Sequence, residues 1–293
     1  MITAQAVKDL REKTGCGMME CKKALTETGG DMEKAIEFLR ERGMQVAEKK
    51  AGRIASEGLV YALEQNGVGV LLEVNAETDF VAKNAEFVEF VQNTAKIVAE
   101  KNPADVEALK ALPYEAETVA EKLTALIAKI GENMNIRRFV RLEGNVCSYI
   151  HGGGRIGVMV VAEGALEGDA YEAARDVAMQ IAAINPPYLS KETVPAEDLE
   201  KEKRIITAQI KEDPKNASKP DNIIEKMLGG KISKFYDQNC LLQQEFVKDS
   251  SLKVEAYLAS KGVKIIDFVR YEKGEGLEKK EDNFAEEVAS MTK

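Results

Sequence analysis

The sequence predicts an α+β protein in which a small helical module precedes a duplicated core of helices and antiparallel sheets. Three observations predict this class. Apolar residues recur at helical spacing through residues 1–43, two strand-like runs then surround Asn66-Gly67, and the whole later block is repeated once further along the chain. A change of hydrophobic period marks a change of element type, and a repeated block marks a repeated unit of structure.

The composition is that of a soluble globular chain with an acidic balance. Its 293 residues are enough for two or more domains, and 44% of them are hydrophobic and 31% charged. The formal net charge of −9 argues against a broad surface for nucleic acid or an anionic membrane. No apolar run approaches the roughly 20 residues of a membrane span. We therefore expect neither a direct nucleic-acid partner nor a membrane.

The cysteine and histidine content restricts the chemistry. The four cysteines form no CxxC pair and no disulfide framework, which is typical of a reduced, cytoplasmic protein. The one histidine, His151, excludes a His-rich zinc site, and any serine or cysteine triad would have to use this residue. Carboxylates are plentiful, but none has a recognisable shielding pocket, so no catalytic residue, metal site or cofactor is predicted.

The N-terminal module contains three predicted helices. The first covers residues 4–14 and the second covers residues 18–28, each with an apolar stripe at helical spacing. Asp31 is a suitable N-cap for the third helix, which we expect to end at Gly43 because glycine commonly closes helices. Residues 48–53 then have the composition of a charged linker.

The core begins with a hairpin that occurs twice. Asn66-Gly67 between two strand-like runs is a strong hairpin signal, since a type I′ turn needs positive φ at both central residues. A second hairpin with a similar pair of runs follows later in the chain. The matching residues are Tyr61 with Tyr149 and Gly69 with Gly157, in both cases 88 residues apart.

A helix and a third strand follow each hairpin. Asn102 and its following proline recur at Asn185, only 83 residues later, so the first half has five extra residues between its hairpin and its helix. The third strand recurs as well, with FVRLEG at Phe139 matching FVRYEKG at Phe268. In the first half, the predicted helices and third strand cover residues 85–101, 117–130 and 136–144.

The second half contains a large insertion. From the proline to the third strand is 36 residues in the first half and 82 in the second. Two helical patterns, at residues 195–212 and 221–235, predict an inserted antiparallel helical hairpin of coiled-coil type. Its apolar seam is too short for a free coiled coil, so we expect it to pack on itself or on a partner. A last amphipathic stretch, residues 282–291, predicts a C-terminal helix.

The glycine-rich turn at residues 152–157 matches GxGxxG but is not expected to bind a dinucleotide. That fingerprint needs a helix after the turn, and here a strand follows. The HGGG run resembles a lipase oxyanion loop, yet the chain has no GxSxG nucleophile elbow to accompany it. The sequence therefore gives no positive support for an enzyme.

Met18 and Met19 have two interpretations. Adjacent helix positions differ by about 100°, so both cannot face one core. Either one methionine packs inward and the other is incidental, or the pair forms an adaptable protein-binding face beside Arg11.

The stretch ETDFVAKN, residues 77–84, also has two interpretations. Asp79 either caps a turn while Phe80 packs on the core, or the pair is directed at another molecule. The stretch lies in the five-residue surplus of the first half, so the fold does not require it, and such loops commonly carry function. His151, at the hairpin turn of the second half, is either an exposed turn residue or a contact.

Five motifs occur in order along the chain: LREKTGCGMMECKKAL, NAETDFVAKN, KIGENMNIRR, HGGGRIGV and FVRYEKGEGLEKKEDNFAEEV. Together they resemble the bacterial elongation factor Ts family, and the likeness runs essentially from end to end. The resemblance implies a guanine-nucleotide exchange factor for the GTPase elongation factor Tu, bound in its GDP-loaded and nucleotide-free states. No cofactor is implied.

The resemblance also implies roles for particular residues. The helical module would be ubiquitin-associated-like (UBA-like) and would dock on the partner's GTPase domain through Arg11, Met18 and Met19. His151 matches a histidine that faces the partner, and the terminal helix, with Phe284, matches a small module that returns to the GTPase domain. The motif associated with dislodging magnesium from the partner consists here of Thr78, Asp79, Phe80 and Val81.

The alternative function is a non-catalytic adaptor, which would hold a protein partner through the UBA-like module and leave nucleotide release unchanged. The sequence does not decide whether the inserted hairpin contacts the partner, forms a homodimer or does both. The expected domains are the UBA-like module at 1–53, the first core half at 54–142, the second core half at 143–194 and 232–274, the inserted hairpin at 195–231, and a C-terminal linker and helix at 275–293.

Overall fold

The computed structural model describes residues 2–216 and 219–278 and has the predicted α+β architecture. The predicted helix at residues 282–291, with Phe284, lies outside the described residues. No helix of the described ranges is long and apolar enough to cross a membrane. The helices are α1 (Ala4–Thr14), α2 (Met18–Glu27), α3 (Met32–Lys50), α4 (Asp79–Ala82), α5 (Ala85–Lys101), α6 (Val106–Lys110), α7 (Val119–Ile130), α8 (Asp169–Ile184), α9 (Ala196–Glu212), α10 (Asp221–Asn239) and α11 (Val254–Ser260).

The strands pair antiparallel, in two three-stranded sheets and two short hairpins. They are β1 (Glu57–Gln65), β2 (Val68–Ala76), β3 (Pro113–Tyr114), β4 (Glu117–Thr118), β5 (Met134–Glu143), β6 (Asn145–His151), β7 (Ile156–Glu163), β8 (Glu245–Phe246), β9 (Asp249–Lys253) and β10 (Lys264–Glu272).

The N-terminal module is a bundle of α1, α2 and α3 around its own apolar core. As predicted, the carboxylate of Asp31 caps α3 by accepting two backbone N–H groups. The helix then continues through Gly43 to Lys50, so the predicted end at Gly43 and the linker beginning at residue 48 are wrong. Gly43 is buried, and a Cβ added there would lie 3.5 Å from the Cβ of Ala128 on α7. The glycine therefore gives two helices a close approach instead of stopping one.

The core contains the predicted repeat. One sheet has the order β1-β2-β5 and the other β6-β7-β10, so each third strand pairs with the second strand of its hairpin. Phe139 lies opposite Leu72, and Phe268 lies opposite Val160 in the other half. The long helix of each half, α5 or α8, ends at an asparagine in the left-handed conformation.

The two hairpins close with different turns. Asn66 (φ 53°) and Gly67 (φ 73°) both have positive φ, as the predicted type I′ turn requires. In the second hairpin His151 pairs with Ile156, which leaves the four residues 152–155 in the turn.

The longer turn changes the match between the halves. Tyr61 pairs with Leu72, whereas Tyr149 pairs with Val158 and not with Val160. The 88-residue spacing therefore holds for β7 but is wrong for β6, which is displaced by two residues. A displacement of two keeps every side chain on the same face of the sheet.

The two sheets contact each other where both halves carry a glycine. A Cβ added to Gly157 would lie 2.6 Å from Cγ1 of Val60, and one added to Gly69 would lie 2.8 Å from Sδ of Met159. These separations are shorter than van der Waals contact, so the recurring glycine matches a recurring packing requirement.

The insertion forms the predicted pair of helices, α9 and α10. Ile206 and Ile210 of α9 are buried, whereas α10 buries none of its described side chains. The second helix continues to Asn239, beyond the predicted end at residue 235. Near its C-terminus the ring of Phe235 lies 6.3 Å from that of Tyr188, which attaches the hairpin to the second half.

Candidate partner-binding site

The stretch at residues 77–84 joins β2 to α5 through the single helical turn α4. The corresponding connection in the second half, residues 164–168, is three residues shorter and has no helical turn. β2 and α5 are each one residue longer than their counterparts, β7 and α8, which completes the predicted five-residue surplus. The surplus is therefore mostly an added turn at the junction of strand and helix.

Phe80 lies in solvent at this turn. Its side chain is 79% exposed, whereas that of Val81 is 4% exposed and belongs to the core of the first half. Thr78, not Asp79, occupies the N-cap position of α4. The interpretation with Asp79 as a cap and Phe80 on the core is therefore wrong. Val81 anchors the turn, and the exposed ring of Phe80 is available to another molecule.

Asp79 is an exposed acid beside that ring. Its Oδ2 accepts a hydrogen bond of 3.0 Å from Nζ of Lys83, one helical turn later. This hydrogen bond and the positive charge of Lys83 lower the pKa of Asp79 below its ordinary value. The carboxylate is accordingly ionised at neutral pH, and the turn presents an apolar ring together with a negative charge.

The start of this turn is held by two residues, Glu132 and Asn133, that were not predicted as site residues. Thr78 donates its backbone N–H to Oε2 of Glu132 (3.0 Å) and its hydroxyl to Oε1 of the same carboxylate (2.9 Å). The backbone N–H of Asn133 donates to Oε1 of Glu77 at 2.6 Å. Glu132 and Asn133 belong to the KIGENMNIRR motif, which was the available sequence signal.

A second exposed surface lies on the helical module. Arg11, Met18 and Met19 are all exposed, with Met18 at 52% and Met19 at 75%. The interpretation in which one methionine packs inward is therefore wrong. Met44 of α3 is also exposed, and it was not predicted as part of this surface because the predicted helix ended at Gly43.

His151 is exposed at the end of β6, where its Nδ1 lies 3.0 Å from the hydroxyl oxygen of Tyr149. The glycine-rich turn after it rests on the first half, since Val60 donates its N–H to the carbonyl oxygen of Gly154 at 2.8 Å. A Cβ added to Gly154 would lie 2.9 Å from that of Leu59. This turn therefore connects two strands and packs on a third, and it lacks the helix that a dinucleotide site needs.

Within residues 2–216 and 219–278, no group of three or more histidine, cysteine, aspartate or glutamate side chains is arranged to hold a metal ion. The four cysteines are free thiols, and burial raises the pKa of Cys147 to about 12 and that of Cys240 to about 11.

Comparison with known proteins identifies the family of the chain. The family model described as Elongation factor TS matches residues 77–275. Elongation factor Ts of Clostridium kluyveri is 54% identical over 303 residues, which cover 98% of each chain, and that of Clostridium perfringens strain SM101 is 54% identical over 306 residues, 99% of each. The chain belongs to the elongation factor Ts family. Elongation factor Ts of Clostridium novyi is similar as well, at 52% identity.

Membership of the elongation factor Ts family gives the function. The protein takes part in protein biosynthesis as a guanine-nucleotide exchange factor for elongation factor Tu. The region matched by the elongation factor Ts model includes the turn with Phe80, its supports Glu132 and Asn133, and His151. The helical module lies outside that match but within the region aligned with the clostridial elongation factor Ts proteins.

Proposed function

We propose that this chain speeds GDP release by placing the Asp79–Phe80 turn against the magnesium and phosphate site of elongation factor Tu. The observation that carries the proposal is the 79% exposure of Phe80 on a turn that is fixed from below by buried Val81. A bulky side chain on a rigid support can displace groups of a partner, whereas one on a mobile loop would move aside. The proposed contact residues are Thr78, Asp79, Phe80 and Val81 at the turn, with Val81 acting as its anchor.

A small displacement in the partner is sufficient for this mechanism. Mg²⁺ demands near-octahedral geometry at about 2.0–2.1 Å and is held by only one or two carboxylates together with the nucleotide phosphates. A shift of its ligands by about an ångström therefore weakens both the ion and the nucleotide. The ionised carboxylate of Asp79 adds unfavourable charge near the phosphates.

The coupling between the two ligands of elongation factor Tu is reciprocal. If this chain weakens nucleotide binding, the nucleotide weakens binding of this chain by the same factor. Typical couplings of about 1–3 kcal/mol correspond to roughly 5–150-fold in affinity. The exchange factor then leaves as the new nucleotide binds, and the equilibrium between GDP and GTP is unchanged.

The other exposed residues would contribute to the binding of elongation factor Tu. The helical module acts as a UBA-like docking domain through Arg11, Met18 and Met19, and His151 makes a further contact from the second half. The pair α9–α10 is a coiled-coil hairpin for the partner or for a second copy of the chain. The C-terminal segment with Phe284, outside the described residues, returns to the GTPase domain.

In this proposal the protein is a cytoplasmic binding factor with no catalytic residue of its own. We propose the domain boundaries that the sequence predicts, with the helical module at residues 1–53 and the hairpin at residues 195–231. α10 runs through the last of these boundaries, so the hairpin and the second half share one helix.

The test is release of fluorescent GDP from elongation factor Tu in an excess of unlabelled nucleotide. Wild-type protein should accelerate release manyfold, and Phe80→Ala should lose most of the acceleration at saturating concentration. Lys96→Ala, on the exposed side of α5, is the matched control and should behave as wild type.

Two outcomes would count against the proposal. Full activity of the double variant Asp79→Ala with Phe80→Ala would overturn the role of the Asp79–Phe80 turn but leave the exchange function in place. Tight binding of wild-type protein with no change in the release rate would instead favour the adaptor.

A further inference from the structure

Glu77, Thr78, Glu132 and Asn133 form a reciprocal set of hydrogen bonds, here called the clasp. The two pairs of neighbours in sequence, Glu77–Thr78 and Glu132–Asn133, each supply one acceptor residue and one donor residue. Glu132 accepts from Thr78, and Glu77 accepts from Asn133. All four side chains are half-buried or buried. Hydrogen bonds to ionised carboxylates are short and strong, so the clasp fixes the backbone at the start of α4.

The clasp also reaches the end of the helical module. The side-chain amide of Asn133 donates to the carbonyl oxygen of Arg53 at 2.7 Å and to that of Ala51 at 3.4 Å. Nζ of Lys50 donates to the carbonyl oxygen of Gly131, next to Glu132. The residues that end α3 and the residues that begin α4 are thus bound to the same short segment between α7 and β5.

Helix packing supports this connection. α3 packs along α7, with Gly43 facing Ala128, and α7 leads directly into Glu132 and Asn133. One continuous path of packed helix and hydrogen bonds therefore links the face with Met18 and Met19 to the turn with Phe80.

We propose that Glu132 is a positioning residue for nucleotide exchange. Through Thr78 it sets the direction in which α4 presents Phe80, and with Asn133 it keeps that direction fixed relative to the docking face of the helical module. Docking of the module then places Phe80 directly at the magnesium and phosphate site of elongation factor Tu. The inference rests on the proposed function of the Phe80 turn. It gives the KIGENMNIRR motif a role of its own, which is to position Phe80.

The test separates docking from exchange. In the fluorescent-GDP assay, the half-saturating concentration of this protein reports docking and the maximal release rate reports placement of Phe80. Glu132→Ala should lower the maximal rate about ten-fold while changing the half-saturating concentration less than about three-fold. Glu132→Gln keeps one acceptor for the Thr78 hydroxyl and should recover part of the rate. Glu107→Ala, an exposed ion-paired carboxylate of the same half, is the matched control and should equal wild type.

A double-mutant cycle tests whether Glu132 acts through Thr78. Thr78→Val keeps the shape but removes the hydroxyl donor, so adding it to Glu132→Ala should cost little beyond Glu132→Ala alone. Amide hydrogen exchange of the free protein supplies a readout independent of elongation factor Tu. Exchange should become faster in Glu132→Ala at Thr78, whose N–H donates to Glu132, and at Lys83 and Asn84, whose N–H groups donate to α4, while the helices of the second half keep wild-type protection.

The outcomes distinguish this inference from the function on which it rests. If wild-type protein does not accelerate release, the proposed function fails. If wild type accelerates release and Glu132→Ala and Glu132→Gln have the same maximal rate as wild type, Glu132 has no positioning role. A variant that changes only the half-saturating concentration would make Glu132 part of docking, which also overturns the inference.

Discussion

Glu73 is an acid in a strand, β2, whose other residues are apolar except for Asn75, and it has no exposed surface. Its carboxylate accepts from Arg137 (2.9 Å), Arg138 (2.6 Å) and the backbone N–H of Gly274 (2.8 Å). Burial by itself raises the pKa of Glu73, but these hydrogen bonds outweigh it and the pKa lies below the ordinary value. One carboxylate thus joins β2, β5 and the segment that follows β10.

Replacing Glu73 by glutamine should destabilise the fold strongly. The variant keeps the shape but removes the buried anion that Arg137 and Arg138 share, and of the two only Arg138 keeps a second carboxylate among the described residues, that of Glu275 at 3.2 Å. Breaking a buried ion pair costs about 3–5 kcal/mol. Urea unfolding at pH 7 should therefore show a lower midpoint. A midpoint equal to that of wild type would mean that the arginines find other partners.

The same site predicts how stability depends on pH. Because the folded pKa of Glu73 lies below its ordinary value of 4.5, its stabilisation is complete above that value and is lost as pH falls through the folded pKa. The gap in stability between wild type and Glu73→Gln should therefore narrow below about pH 4.5. Urea midpoints measured for both proteins from neutral pH downward check this, and a constant gap would contradict it.

At the scale of elements, α10 contains an unusual weakness. Gly229 and Gly230 are adjacent in the middle of this 19-residue helix, and apart from the neighbouring turns of the helix itself no described atom lies within 4 Å of a Cβ added at either position. Glycine inside a helix costs about 1 kcal/mol relative to alanine. No packing in the described chain offsets that cost.

Gly230→Ala should accordingly stabilise the hairpin. We expect slower amide hydrogen exchange along α10, by up to about five-fold, since about 1 kcal/mol of helix propensity is gained. The rest of the core should be unaffected. Faster exchange would show that the glycine makes room for another surface, such as a second copy of the chain.

Element boundaries were predictable where a local signal sets them. α5 has the predicted bounds because Asn84 caps its start by accepting two N–H groups and Asn102 ends it in the left-handed conformation. The C-terminal end of α3 was mispredicted because Gly43 is required by its packing against Ala128, which is distant in sequence. Phe80 could be singled out from the repeat. The KIGENMNIRR motif marked the segment that contains Glu132 but not the role of this residue, since its contact with Thr78 spans 54 residues.

At the scale of the whole molecule, the two halves depend on close contact between their sheets. Gly157→Ala would place a methyl group 2.6 Å from Val60 and 2.7 Å from Leu71. Overpacking of this kind costs about 1–3 kcal/mol, so thermal unfolding should occur at a lower temperature. Gly230→Ala, where the same methyl meets no neighbour, is the control and should not lower it. Equal stability of both variants would mean that the sheets separate easily.

Gly274 gives the core a further property. It has φ 68°, and a Cβ added there would lie 2.3 Å from the carbonyl oxygen of Ser56. The chain therefore enters the core, just before β1, and leaves it, just after β10, at the same point. A domain whose ends meet tolerates circular permutation. Residues 56–275, joined by a short linker and opened at the exposed Gly164, should keep their fold.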